Sequence, residues 1–172
     1  KVMVLENYLN DVDGGEGLDD LIAHGQNGIV VENDLTNASV PSFSLQPFQL
    51  DGDAVQVRAA DFDRDGIRDL LVMGKGSIYW YRGELNSLSG DYKVSYVRET
   101  DLESGVSPVS IEIGDFDGNG HDDLVASFAT KEIKWYSFDG GSQSFSSGHL
   151  IAQSENRLHG LKHFTVGDIH GD

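Results

Sequence analysis

The sequence predicts an all-β fold built from repeated units of four short antiparallel strands. Three observations support it. Apolar and polar residues alternate in short segments, as at Val55, Val57 and Ala59, which is the period of a half-buried strand. Similar Asp- and Gly-rich loops recur along the chain. No stretch has a sustained helical period, and Gly- and Ser-rich turns such as 74–77 separate the segments.

Each unit is predicted to hold one strand before its Asp-rich loop and three after it. The predicted strands lie at 5–9, 21–23, 29–31 and 48–50; at 55–59, 70–73, 78–80 and 93–97; at 109–113, 124–128, 133–135 and 149–152; and finally at 164–166.

Two of the loops share one arrangement of oxygen-bearing side chains at loop positions 1, 3, 5 and 9, with glycine at position 6. In the first of these loops the residues are Asp61, Asp63, Asp65 and Asp69 around Gly66. In the second they are Asp115, Asp117, Asn119 and Asp123 around Gly120. Alternate positions in a tight loop can converge on one point, and a glycine allows the positive φ of a sharp turn. An isolated Asp/Gly cluster is most simply a solvated turn, but recurrence in register favours a metal site.

Calcium is the cation that this chemistry favours, because Ca²⁺ takes six to eight oxygen ligands. Position 7, which is Ile67 in one loop and His121 in the other, would supply a backbone carbonyl. The loops resemble the first half of an EF-hand loop, but Val72 and Ala126 stand where its bidentate Glu would be. Both lie in apolar, strand-like runs. The sequence therefore predicts calcium loops between strands 1 and 2.

Two further copies of the loop are imperfect. The earlier copy offers Asp11, Asp13, Glu16 and Asp20 as ligands, with one extra residue near Gly14. The last copy begins at Asp168 and is truncated at residue 172. We predict metal binding for the earlier copy in spite of its insertion.

A repeat period of about 50 residues is typical of propeller blades or stacked arrays. The predicted repeats are 1–50, 51–105, 106–158 and a truncated 159–172 within a single partial domain, 1–172. Three blades and the start of a fourth cannot close a ring, since propellers usually need four to eight. We expect the segment to belong to a larger propeller, with an open array as the alternative.

The repeats resemble the FG-GAP/VCBS family, whose units form calcium-binding blades of integrin-α-like β-propellers. The resemblance rests on the two Asp-rich segments, 59–72 and 113–126, and on Ile-x-Trp-Tyr at 78–81 and 133–136. It implies a four-stranded blade and bound Ca²⁺, and it is weak for biological role because the repeat serves many functions.

Composition limits the partners. The chain has 172 residues, of which 29 are acidic and 12 basic, giving a net charge of −17 and no cysteine. Thirteen acidic residues lie in the four loops, so the rest of the chain is close to neutral. Without a basic stripe or an apolar span, we predict neither nucleic-acid binding nor membrane insertion. Loops of this kind fill at millimolar calcium, which favours an extracellular or cell-surface location.

No constellation of catalytic residues is apparent, so we predict that the segment is not an enzyme. The conspicuous carboxylates are already assigned to cations, and none is paired with a candidate nucleophile. Our leading hypothesis is a non-catalytic, extracellular, calcium-binding propeller segment for adhesion, matrix or surface assembly, or ligand binding, with a protein or glycan as partner. The alternative is a carbohydrate-binding or accessory propeller domain of a secreted polysaccharide-active enzyme.

We expect the partner to bind at the ends of the blades opposite the calcium loops, because the calcium loops direct their oxygens at metal. The residues that the strand order places at that end include Gln26, Asn27, Lys75, Glu103, Lys131, Arg157 and His159.

Overall fold

A computed structural model describes residues 2–5, 20–23, 29–34, 42–46, 54–88, 91–153 and 164–167, with side chains for 54–84, 96–153 and 164–167. In these ranges the chain forms fourteen β-strands. None of the described residues build a helix of the length and hydrophobicity that crossing a membrane requires. The predicted all-β class is confirmed.

The first sheet contains β1 (Val2–Leu5), β2 (Asp20–Ala23), β3 (Ile29–Asp34) and β4 (Ser42–Gln46), each antiparallel to the next. The last strand lies earlier than predicted, because β4 pairs with β3 from Ser42 to Gln46 and residues 47–50 fall outside the described residues. The apolar pair Phe43 and Leu45 alternates with polar residues, so this segment has the same period-2 pattern that the sequence interpretation assigned to 48–50.

The second sheet contains β5 (Gln56–Ala60), β6 (Asp69–Met73), β7 (Ser77–Leu88) and β8 (Asp91–Ser104). Strand β6 pairs with β7 only between Leu70–Met73 and Ile78–Tyr81. Beyond Tyr81, β7 and β8 pair with each other and with no other strand that the structure describes, so residues 82–88 and 91–97 form a two-stranded arm. Both strands are longer than the sequence predicted.

The third sheet contains β9 (Pro108–Gly114), β10 (Asp123–Phe128), β11 (Glu132–Tyr136) and β14 (His149–Gln153). A small hairpin, β12 (Phe138–Asp139) with β13 (Ser144–Phe145), is inserted between β11 and β14, and the sequence analysis missed it. Residues 164–167 are not in a strand, so the strand predicted at 164–166 is absent from the described residues.

The three four-stranded sheets share one geometry around the loop between their first two strands. The residue at loop position 9 begins the second strand in each sheet: Asp20 opposite Leu5, Asp69 opposite Ala60, and Asp123 opposite Gly114. Four-stranded antiparallel meanders of this kind are consistent with propeller-like blades. We call the second and third sheets blade 2 and blade 3.

Blades 2 and 3 pack face to face through one apolar cluster. Blade 2 contributes Leu71, Met73 and Trp80, and blade 3 contributes Ile111 and Tyr136 among others, all at most 2% exposed. Aromatic rings extend this core toward the Asp-rich loops: the centroids of Trp80 and Phe138 are 5.4 Å apart, in edge-to-face contact. Trp80 is therefore a packing residue between the two blades.

Candidate metal centre

The loop between β5 and β6 gathers carboxylates at one point. One carboxylate oxygen from each of Asp61, Asp63 and Asp65 lies within 4.8 Å of the others. Oxygen ligands lie 2.3–2.6 Å from Ca²⁺, so two ligands of one ion are at most about 5 Å apart. These three side chains can therefore share a single cation.

Backbone hydrogen bonds hold those side chains in place. Asp61 Oδ2 accepts from the N–H of Gly66 at 3.0 Å, and Asp63 Oδ1 accepts from the N–H of Asp65 at 3.1 Å. Asp65 Oδ1 accepts from the N–H of Ile67 at 2.8 Å. The other oxygen of Asp61, Oδ1, is buried and has no partner among the described residues. A buried oxygen without a donor is costly, and a cation would satisfy it.

The loop between β9 and β10 repeats the arrangement. One oxygen from each of Asp115, Asp117 and Asp123 lies within 4.8 Å of the others. Asp115 Oδ2 accepts from the N–H of Gly120 at 2.9 Å, and Asp117 Oδ1 accepts from the N–H of Asn119 at 3.0 Å. The same loop positions bond in the same way in both copies, so the two loops share one backbone design.

Positions 5 and 7 of the second loop connect it to the rest of the molecule. Asn119 Oδ1 accepts from the N–H of His121 at 2.7 Å, and its Nδ2 donates to the carbonyl of Phe138 at 3.0 Å. The ring Nδ1 of His121 lies 2.7 Å from the carbonyl oxygen of Phe62, next to Asp61 in the first loop. The sequence analysis assigned position 7 only a backbone carbonyl, but in this loop its side chain also joins the two loops.

The Asp at position 9 is fully buried in both loops and bonds to the backbone. Asp69 Oδ1 accepts from the N–H of Gly83 at 2.8 Å, and Oδ2 accepts from the N–H of Phe62 at 3.2 Å. Asp123 Oδ1 likewise accepts from the N–H of Phe138 at 2.9 Å. Asp123 also belongs to the carboxylate group of its loop, whereas Asp69 lies outside the group of the first loop. Position 9 thus fastens the first loop to Gly83 within β7 and the second loop to Phe138 just after β11.

The first loop is electrostatically costly without a cation. The pKa of Asp69 is raised to about 7, chiefly by burial and also by the charge on Asp63. The hydrogen bonds from the N–H groups of Gly83 and Phe62 lower it in part. Burial also raises the pKa of Asp63, and the carboxylates of Asp65 and Asp61 act in the same direction. Crowded carboxylates repel one another, and a divalent cation removes that repulsion.

The turns need left-handed backbone at two positions. Gly66 and Gly120, at position 6, have φ of 90° and 92°, as the sequence predicted. Position 4 is also left-handed, with φ of 60° at Arg64 and 73° at Gly118. Because position 4 is glycine in only one loop, this requirement is not apparent from the sequence pattern.

The ligands predicted in the first repeat are mostly untested by the structure. Asp11, Asp13 and Glu16 lie outside the described residues. Asp20 is described as the first residue of β2, in the register that Asp69 and Asp123 occupy in their sheets. Asp20 therefore occupies the same register position as the position 9 residues of the other two loops.

Comparison with known proteins agrees with this geometry. Residues 61–126, which include both complete loops, match the model of the FG-GAP-like repeat. No curated protein matches the chain.

Proposed function

Residues 61–126 belong to the FG-GAP-like repeat family, and from this premise we propose that the chain is a segment of a calcium-stabilised β-propeller that acts as a non-catalytic binding module outside the cell. One observation supports the proposal most directly: three carboxylate oxygens converge in each of two successive loops. The residues that would hold Ca²⁺ are Asp61, Asp63 and Asp65 in one loop and Asp115, Asp117 and Asp123 in the other, with Asn119 and the carbonyls of Ile67 and His121 as further donors.

The proposed role of the ion is structural. Bound Ca²⁺ supplies positive charge at a point where each loop has already directed its oxygens. Each loop is also fastened to the aromatic core between the blades, through Asp69 bonding to Phe62 and Asp123 bonding to Phe138. Filling the loops would therefore stabilise the packing between blades 2 and 3.

The remaining parts of the proposal rest on chemistry and on the family. Loops of this ligand set suit millimolar calcium, which is the extracellular range. The carboxylates of the loops accept backbone N–H bonds and point toward one another, an arrangement suited to holding a cation rather than to proton transfer. A binding role in adhesion, surface assembly or ligand capture is one of the functions that such repeats serve, and it is the one we propose.

Calorimetric titration of Ca²⁺ into protein freed of metal by EDTA tests this function. We expect at least two binding events, and we expect the variants Asp63→Asn and Asp117→Asn each to lose one of them. Asp101→Asn, on β8 away from both loops, is the matched control and should keep both. Absence of calcium binding, or equal binding by all three variants, would contradict the proposal.

The second candidate function is carbohydrate binding. It is favoured by a polar cleft between blades 2 and 3.

A further inference from the structure

A cavity of about 290 Å³ lies between the outer strand of blade 2 and the small hairpin of blade 3. Residues 99–102 of β8 line one side, residues 143–147 line the other, and Trp80 contributes to the floor. The cavity lies at the calcium-loop end, because the hairpin connects the third and fourth strands of blade 3 and its Phe138 bonds to Asp123. Its size is at the lower end of ligand pockets, suited to one small ring.

Two β-bulges shape the blade 2 side of this cleft. Tyr81 pairs with Arg98 and Trp80 with Thr100, so Glu99 is an extra residue in β8. Leu102 is a second extra residue, because Asp101 pairs with Tyr79 and Glu103 with Ile78. A bulge places two consecutive side chains on the same face of a strand.

The contacts of these residues agree with that placement. Glu99 bonds to Arg82 at 2.9 Å, on the Trp80 side of the sheet, and Leu102 packs against the core between the blades. The side chains of Glu99 and Thr100 therefore both face blade 3. Those of Leu102 and Glu103 face blade 3 as well. Bulges recur next to functional sites because they redirect side chains in this way.

The blade 3 side of the cleft also has an unusual backbone. Gln143, a non-glycine residue, has φ of 53°. Such a conformation is uncommon for side chains other than Gly, Asn and Asp, and it turns the chain so that Ser144–Ser147 follow the cavity wall. Phe145 supplies an apolar surface beside Leu102 and Trp80.

The polar groups of the cleft are numerous but carry little net charge. Glu99 is paired with Arg82, and Asp101 is paired with Arg98. Thr100 and Ser147 line the cleft and are exposed, so their hydroxyls are accessible to a ligand. Accessible hydroxyls, carboxylates already neutralised by arginine, and an apolar wall together match a neutral ligand with many hydroxyl groups and an apolar face.

From these observations we propose that the cleft between residues 99–102 and 143–147 binds a single pyranose ring of a glycan. The inference names a ligand class for the binding module of the proposed function and rests on that proposal. The ring hydroxyls donate to Glu99 and exchange hydrogen bonds with Thr100 and Ser147, while the C–H face lies against Phe145 and Leu102. This differs from the sequence-based expectation of a partner at the opposite end, where Glu103 is already bonded to Lys134 at 2.8 Å and Tyr136 at 2.6 Å.

The test is ligand-observed NMR and calorimetry with a panel of neutral monosaccharides, used with the calcium-saturated protein. The double variant Thr100→Val/Ser147→Ala removes the two exposed hydroxyls that the proposal assigns to the sugar. Thr130→Val, at an exposed turn outside the cleft, is the matched control. We expect millimolar binding by the original protein and the control, and at least a tenfold loss in the double variant.

Calcium-dependent melting of every variant separates this inference from the proposed function. Loss of sugar binding with unchanged calcium-dependent melting supports the cleft. The sugar site is wrong if no monosaccharide binds at a sugar concentration of about 10 mM, which is ten times a millimolar dissociation constant. It is also wrong if the double variant binds sugar as well as the control does. Neither outcome affects the proposed calcium module. If sugar binds but calcium has no effect on melting, the proposed function fails instead.

Discussion

Asp61, at loop position 1, divides its two carboxylate oxygens between two tasks. One oxygen of Asp61 accepts the N–H of Gly66 and thereby shapes the turn, while the other is buried without a partner. The spacing of Asp61, Asp63 and Asp65 is visible in the sequence, and the structure brings these residues together. The bonds of Asp69 to the N–H groups of Gly83 and Phe62 are not visible, because no sequence pattern shows which backbone groups a buried carboxylate will reach after folding.

Removing one loop ligand should abolish one calcium site while increasing the stability of the metal-free protein. The variant is Asp63→Ala, and the reason is that Asp63 is crowded by Asp61 and Asp65, whose charges raise its pKa. Thermal unfolding in EDTA and in calcium measures both effects. Asp101→Ala, paired with Arg98 on β8, serves as the control. A variant that is less stable than the original protein in EDTA would show that the repulsion is unimportant.

The buried carboxylate of Asp69 predicts a pH dependence in the metal-free protein. Its folded pKa is raised to about 7 from 3.8, so the folded state binds a proton more tightly than the unfolded state does. Its contribution to stability is therefore fully present below pH 3.8 and is lost as pH rises through about 7. In EDTA, the melting temperature of the original protein relative to Asp69→Asn should fall between pH 3.8 and about pH 7 and change little at higher pH.

Calcium should suppress that trend, because a nearby cation favours the ionised carboxylate. Melting curves at several pH values, with and without calcium, check both statements. A difference between the two proteins that stays constant with pH in EDTA would contradict the assignment.

At the level of strands, the junction between blades 2 and 3 depends on contacts between their first strands. Gln56 Nε2 donates to the carbonyl of Ile111 at 2.8 Å, and Gln56 Oε1 accepts from the N–H of Ile111 at 3.1 Å. Arg58 forms a two-point ion pair with Glu112, with Nη2 2.7 Å from Oε1. The sequence analysis assigned Gln56 and Arg58 only as polar residues between apolar ones, since no local pattern shows which distant backbone a side chain will reach.

The substitution Gln56→Leu should destabilise the protein by about 2–4 kcal/mol, because it leaves the N–H and C=O of Ile111 without these side-chain partners in a buried interface. Chemical denaturation in saturating calcium measures this loss. Gln153→Leu on β14, where the side chain is exposed and makes one bond of 3.5 Å, should change stability by less than about 0.5 kcal/mol. Equal losses in the two variants would mean that the junction does not depend on this side chain.

The arm of β7 and β8 and the β12–β13 hairpin were also beyond the sequence analysis. Their strand propensities are ordinary, and their existence depends on long-range pairing and on the aromatic contacts of Phe138 and Phe145 with Trp80. The four-stranded unit itself was predictable because its strands are short, alternating and bounded by turns. Local pattern thus identified the repeated unit, while the differences between its copies required the structure.

For the whole segment, calcium removal should lower stability by several kcal/mol. With a dissociation constant of about 0.1 mM, 1 mM free calcium stabilises by about 1.4 kcal/mol per site, or about 3 kcal/mol for the two described loops. At this chain length the loss corresponds to about 6–12 °C in melting temperature. Differential scanning calorimetry with and without EDTA measures it, and magnesium in place of calcium is the control. An unchanged melting temperature in EDTA would exclude a structural role for the ion.

The two loops are also physically connected, so we expect them to bind calcium cooperatively. The ring of His121 lies 2.7 Å from the carbonyl of Phe62 in the first loop. The guanidinium of Arg64 covers Gly120 so closely that a Cβ there would lie 2.9 Å from its Nη2. Burial raises the pKa of Asp122 in the second loop, and the charges on Arg68 and Arg64 oppose that rise. Ordering the first loop therefore fixes groups that contact the second.

A binding cycle measures this coupling, which we expect at the lower end of the usual range, at least about fivefold in affinity. Calorimetry gives the total calcium-binding free energy of four proteins: the original, Asp63→Ala, Asp117→Ala and the double variant. The double variant measures any calcium binding outside the two loops. If the loops are coupled, the binding free energies of the original protein and the double variant should add up to a more favourable value than those of the two single variants. His121→Ala keeps its backbone carbonyl but loses the ring, so the excess should shrink in that background. Additive binding in the original protein, or an excess unaffected by His121→Ala, would show that the contact between the loops does not transmit calcium binding.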